Sequence, residues 1–218
     1  MAWQLLSLRF EVKAMAVASE LKRYLPVAKK ITDQAERRVI NGEQVPSAEK
    51  VYSLFEDHTE LLKRGKAGKP IEFGHKVLLV ETGEKFIIHY ETMPKQRADK
   101  DLIQESLSAH GKVFGGRPDV LAGDKGFYES MEQIKKLSKK INTVSICKKG
   151  RRTAEEDERE STEDFKTGQR FRAGIEGTIS ALKRSYKLGR CLFKGLKNFA
   201  SSAGCAVFCH NMVILAAT

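Results

Sequence analysis

Two runs in the middle of the chain leave little freedom in what it can fold into. Residues 76–81 (Lys-Val-Leu-Leu-Val-Glu) and 85–91 (Lys-Phe-Ile-Ile-His-Tyr-Glu) are rich in β-branched and aromatic side chains. Between them stands Thr82-Gly83-Glu84, a linker of hairpin length with a glycine. Such residues suit a half-buried pleated surface, so the pair reads as an antiparallel hairpin. Helical and strand-like stretches then alternate. A helix over 99–111 ends at Gly111, and a strand over 119–123 is followed by a helix over 129–140. A short strand over 142–146, a long helix over 168–187 and an apolar helix over 196–217 complete the order. That succession describes an α/β chain with a sheet of mixed direction flanked by helices.

The N-terminal part is different. Val27, Ile31 and Ala35 recur at helical spacing, and Asn41-Gly42 stops the pattern, so residues 1–40 read as helical. Lys22, Arg23, Lys29, Lys30, Arg37 and Arg38 crowd this stretch, either as a solvated helix face or as contacts to DNA. The loop 63–70, with Lys63, Arg64, Lys66 and Lys69, offers a flexible phosphate contact. The expected division is therefore a helical segment with a basic loop over 1–70 and an α/β body over 71–218. Inside the body, residues 148–164 segregate their charge. Lys148, Lys149, Arg151 and Arg152 precede a run of acids from Glu155 to Asp164, and this insert is expected to be mobile and solvated.

A net charge of +11 on 218 residues points to a polyanion partner, nucleic acid being the commonest. The hydrophobic share of 41% is enough for a real core and argues against wholesale disorder. The four cysteines, Cys147, Cys191, Cys205 and Cys209, form no CxxC pair. Cys205, Cys209 and His210 fall in the apolar run 205–215, which reads as small thiols on a buried helix rather than as a zinc site. That run is too short to span a membrane, and it contains His210 and Asn211. No basic region precedes the first apolar stretch, so a reduced, cytoplasmic setting without a membrane partner is expected.

Two carboxylates stand in settings that suit metal-assisted chemistry on phosphodiesters. Asp124 closes the run Pro118-Asp119-Val120-Leu121-Ala122-Gly123-Asp124, a short apolar strand ending in a carboxylate before a Gly126 turn. Glu176 lies on the 168–187 helix, where Arg172, Glu176, Lys183 and Lys187 follow at intervals of 4, 7 and 4. At 100° per residue these four fall within roughly one-sixth of a turn. Ile175, Ile179, Leu182 and Tyr186 form a second stripe turned about 100° away, so one face can bury while the other looks into a cleft. A surface helix with i,i+4 ion pairs fits the same spacing.

The run Arg172-x3-Glu176-x6-Lys183, followed by Tyr186-Lys187-Leu188-Gly189-Arg190-Cys191, resembles the C-terminal signature of bacterial insertion-sequence DDE transposases. The run 121–128 (Leu-Ala-Gly-Asp-Lys-Gly-Phe-Tyr) is similar to the second-aspartate motif of that family. Residues 45–56 and the run Phe73-Gly74-His75-Lys76-Val77 also resemble segments of one branch, so the likeness covers about 25–217. It implies a ribonuclease-H-like fold, three metal-binding carboxylates, and metal-dependent DNA cleavage and strand transfer at transposon ends and target. Asp124 would then be the second aspartate and Glu176 the glutamate. Mg2+ would be the ion, with Mn2+ as a substitute, because all-oxygen ligands suit magnesium. Arg172, Lys183, Lys187 and Arg190 would contact DNA, as would His75 and Lys76 unless they serve strand-edge packing. Such enzymes generally act as dimers, and a bacterial, nucleoid-associated location follows.

Two positions depart from the pattern. Gln169 stands where the family's signature usually has tyrosine. No strand ending in aspartate is legible in residues 1–70. Asp33 lies in a helical pattern, and Asp57, in Glu56-Asp57-His58-Thr59, is the other candidate for the first aspartate. The first strand of the fold thus reads as missing, and the chain as an N-terminally truncated, catalytically impaired copy. The alternative is a non-catalytic DNA-binding remnant or regulator of transposition. His58, His89 and His110 show no ligand spacing.

Overall fold

In the computed structural model, residues 2–63, 68, 70–95 and 97–217 are described. Arg64, Lys66 and Lys69 of the basic loop lie outside them, and with them the expected phosphate contact. The chain forms two compact units, Met1–His75 and Lys76–Thr218.

The first unit holds helix α1 (Ala2–Ala35), extended by a turn of π-helix at Glu36–Ile40. Gly42, at φ +69°, turns the chain out. Arg37 is tied to Glu43 at 3.0 Å and to Glu49 at 2.9 Å, so this cation is engaged within its own unit. Strands β1 (Glu60–Lys63) and β2 (Ile71–Gly74) pair antiparallel, with Glu60 opposite Gly74. With four residues each they are too short for alternation to announce them.

The second unit begins with the expected hairpin, β3 (Val77–Glu81) and β4 (Ile87–Thr92). Its turn closes through Thr82 N–H donating to the Phe86 carbonyl at 2.8 Å. The left-handed position falls on Lys85 (φ 71°) rather than Gly83. A 3-10 turn at Asp99–Leu102 leads into α2 (Ile103–Phe114), whose terminating glycine is Gly115 (φ 71°), not Gly111. Strand β5 (Val120–Gly123) runs parallel to β6 (Thr143–Ile146), with Leu121 opposite Val144. Between them α3 (Met131–Ser138) is capped by Ser130, whose hydroxyl accepts from Gln133 N–H.

These strands do not form the single mixed sheet expected from the sequence. Among the described residues there are three two-stranded sheets, β1–β2, β3–β4 and β5–β6. No ladder joins the hairpin to the parallel pair; side chains do. Phe127 packs both against Ile103, Ile134 and Ile146 and against Leu78, Met93 and Leu102.

The acidic insert also differs from expectation. Residues Ala154–Ser161 form α4, opened by a capping box in which Thr153 and Glu156 satisfy each other's backbone N–H. Charges segregated along the chain are paired in space. Glu156, 2% exposed, accepts from the Tyr128 hydroxyl and from Lys148 at 2.7 Å. Arg152 reaches Glu160 at 3.1 Å, and Arg159 donates to the Val144 and Ile146 carbonyls of β6.

Thr162 then caps α5 (Glu163–Arg184), which starts earlier and stops sooner than its spacing predicts. Lys187 at φ 62° and a Leu188 N–H to Leu182 carbonyl bond of 3.0 Å close it in a left-handed turn, with Leu188 and Leu182 in one apolar cluster. Lys187 therefore leaves the helical stripe. Helix α6 (Leu196–Ala217) packs Ala206 and Val207 against Ile87 and Leu182. Its Asn211 side chain bonds both N–H and carbonyl of Ile87, and His210 meets the Lys85 carbonyl at 3.0 Å. Cys205 and Cys209 are exposed, contrary to their expected burial, because the buried face is the one carrying His210. At 22 residues and a mean hydropathy of 1.5, α6 is long and apolar enough to cross a membrane by length and composition.

Candidate metal and nucleic-acid site

Asp124 follows the last residue of β5 and caps the short turn Lys125–Phe127, accepting from Lys125 N–H at 2.7 Å. The turn is packed on both sides. Phe127 is anchored in the core, and Gly126 lies so close to the Asp99 carboxylate that a Cβ there would collide with it. Lys76 salt-bridges that same Asp99 and donates to the Arg97 carbonyl at 3.2 Å. Its charge is thus taken up beside the Asp124 turn.

Glu176 projects from α5, which is seated on the parallel pair by a close approach. A Cβ at Gly168 would lie 2.5 Å from Cβ of Ser145, a fully buried residue of β6. Ser145 Oγ donates to the Phe165 carbonyl at 2.7 Å, and Gln169 Nε2 donates to the Ser145 carbonyl at 2.7 Å. Gln169, the departure from the family signature, thus fastens α5 to β6. Thr178 and Leu182 are buried while Glu176 is exposed, the two-faced helix that the apolar stripe implies.

Arg172 connects the two carboxylates. Its guanidinium lies 3.3 Å from Asp124 Oδ1 and 3.4 Å from Glu176 Oε1. An aspartate at a strand end and a glutamate on a distant helix are so brought to one cation. Both are largely exposed, so this ion pairing is solvent-screened and modest in energy.

Beyond this pair, Lys183, Arg184, Lys187, Arg190, Lys194 and Lys197 are all exposed along the end of α5 and the link to α6. Leu192 and Phe193 are exposed among them. His75 belongs to the first unit, where its Nε2 lies 2.7 Å from Nδ1 of His58. A groove of about 970 Å³, lined by residues such as Leu107, Gln133 and Lys136, includes neither Asp124 nor Glu176.

A family model described as a transposase DDE domain matches residues 57–212, well over half of the chain. The chain belongs to the transposase DDE domain family. No curated protein and no solved structure matches it. Members of this family act on DNA and depend on a divalent metal ion. The carboxylates on Arg172 fit such an ion in kind: they are oxygen donors, accessible, and carry one more negative charge than their shared cation. Among the described residues, however, the one group of three metal-type ligands within 4.8 Å is elsewhere in this DDE domain, at His89, Glu91 and Glu105. Sequence reasoning passed over it. Its signal was slight, a histidine and a glutamate two apart on one strand face, with the third ligand on another element.

Proposed function

We propose that this transposase DDE domain uses Asp124 and Glu176 as two of the carboxylates that hold Mg2+, or Mn2+ in its place, for DNA cleavage and strand transfer. The observation that carries the reading is the shared Arg172 guanidinium, which gathers a strand-end aspartate and a helix glutamate at one point. A bound ion would polarise the scissile phosphate and lower the pKa of its water. The chain's own residues supply the rest. Arg172 keeps the carboxylates together, and were they to hold the ion its guanidinium would be available to a phosphate oxygen. Gln169 and Ser145 fix α5, and the exposed cations from Lys183 to Lys197 track the DNA backbone.

No group of three metal-type ligands within 4.8 Å includes Asp124 or Glu176 among the described residues. Asp57 is the sequence candidate for the remaining aspartate. Two ions held close together repel strongly, and a bridging aspartate normally offsets this. We therefore read the 218-residue chain as binding DNA while cleaving it poorly. Dimerisation on DNA belongs to the same proposal. So does a packing role for α6, whose His210 and Asn211 are bonded to the hairpin, instead of a membrane one.

Titration of duplex DNA at several salt concentrations, with a supercoiled-plasmid nicking assay in Mg2+ and Mn2+, tests this. If four to six phosphates are contacted, log affinity falls against log salt with a slope of about −4 to −5, and nicking stays near background. Salt-independent binding would overturn the DNA reading. Robust nicking would show that the chain holds a third carboxylate, with Asp57→Asn the first variant to make.

A further inference from the structure

A second cluster of metal-type side chains stands in the same unit as Asp124 and Glu176. His89 and Glu91 are two apart on β4 and share one face of it. Glu105 lies in the first turn of α2, which packs on β4. One ligand atom from each comes within 4.8 Å of the other two. Nε2 of His89 and Oε2 of Glu91 are buried and make no hydrogen bond. Buried polar atoms are seldom left so, since each costs about 1–3 kcal/mol unsatisfied. Two side chains with orphaned atoms of metal-ligating type, gathered with a second carboxylate, make a coordinating set.

We propose that His89, Glu91 and Glu105 bind one divalent transition-metal ion that clamps α2 to β4. One imidazole with two carboxylates suits zinc or manganese better than magnesium, which prefers oxygen alone and keeps its waters. A tetrahedral ion with bonds near 2.1 Å needs ligand atoms roughly 3.3–3.5 Å apart. Nε2 of His89 and Oε1 of Glu105 are 4.0 Å apart, so that pair has to contract by less than an ångström. Arg97 supports the other side, 3.0 Å from Glu105 Oε2 and 3.5 Å from Glu91 Oε1. The site is separate from Asp124 and Glu176, and its fate does not depend on theirs.

The experiment uses the full chain carrying Asp124→Asn and Glu176→Gln, so that the proposed catalytic pair is removed. Mn2+ is the probe because it does not favour the exposed thiols of Cys205 and Cys209. Equilibrium dialysis followed by pulsed electron paramagnetic resonance is expected to show one bound ion with nitrogen-14 modulation from an imidazole. His89→Gln is expected to abolish the modulation and weaken binding at least tenfold. Glu105→Gln, nearly isosteric, weakens binding while leaving the circular dichroism unchanged, which keeps the test sound if the histidine variant fails to fold. Absence of a bound ion in the double variant, or an undiminished nitrogen signal in a folded His89→Gln protein, would overturn the proposal.

Discussion

Asp124 and Arg172 meet at 3.3 Å across the junction of β5 and α5, and the same guanidinium reaches Glu176 at 3.4 Å. An arginine so placed holds two carboxylates together and competes with any cation they bind. Replacing it by glutamine is expected to raise Mn2+ affinity at the pair by on the order of fivefold, since a repelling charge a few ångströms away is removed. DNA affinity should fall in the same variant. Metal titration by paramagnetic resonance and a DNA titration together check this; a Mn2+ affinity that falls would mean that Arg172 organises the pair more than it repels the ion.

The seating of α5 depends on a missing side chain. Glycine inside a helix normally costs about 1 kcal/mol against alanine, so Gly168→Ala ought to stabilise an exposed helix. Here the added Cβ would meet Ser145 of β6 at 2.5 Å. Overpacking of that kind costs about 1–3 kcal/mol, and the denaturation midpoint is expected to drop. An increase would show that α5 and β6 are not in close contact.

Lys187 adopts φ 62° at the C-terminal turn of α5. A left-handed residue with a side chain is strained by about 1–2 kcal/mol, so Lys187→Gly is expected to stabilise the fold by about 1 kcal/mol while weakening DNA binding. The two readouts moving in opposite directions would separate the charge of Lys187 from its backbone. If stability is unchanged, the turn differs from the one described.

Acid sensitivity should centre on the α4 network. The Lys148 ammonium, then the Tyr128 hydroxyl, hold the Glu156 carboxyl down, from the ordinary 4.5 to about 2. A carboxylate depressed on folding contributes stability above its unfolded value and loses it as pH falls through its folded value. Stability is therefore expected to decline between about pH 4.5 and 2, and Glu156→Gln to flatten that decline and lower stability at neutral pH. Denaturant titrations at stepped pH values check this, and an unchanged pH profile in the variant would contradict the assignment.

Much of this was legible in residue patterns. β-Branched and aromatic side chains around a hairpin-length linker announced β3 and β4, and the apolar stripe of Ile175, Ile179 and Leu182 announced the two-faced α5. Asp124 and Glu176 stood out because a strand-ending aspartate and a matched helical spacing are local features. What stayed hidden depended on space. The charges of 148–164 looked solvated because their partners, Tyr128 and the carbonyls of β6, come from other elements. Asn211 sits in an apolar run, and the Ile87 backbone that it satisfies lies on another element. The cluster of His89, Glu91 and Glu105 needs a strand and a helix to meet before it exists.

Ferrous iron and ascorbate offer the most direct measurement of the central claim, because iron bound in place of magnesium cuts the polypeptide beside its ligands. Cuts are expected next to Asp124 and Glu176. They should be suppressed by excess Mg2+ and lost in Asp124→Asn, while any cuts around 89–105 persist. Fragmentation around 89–105 alone, or cuts near 124 and 176 that survive Asp124→Asn, would contradict the assignment of these carboxylates as a divalent-metal pair.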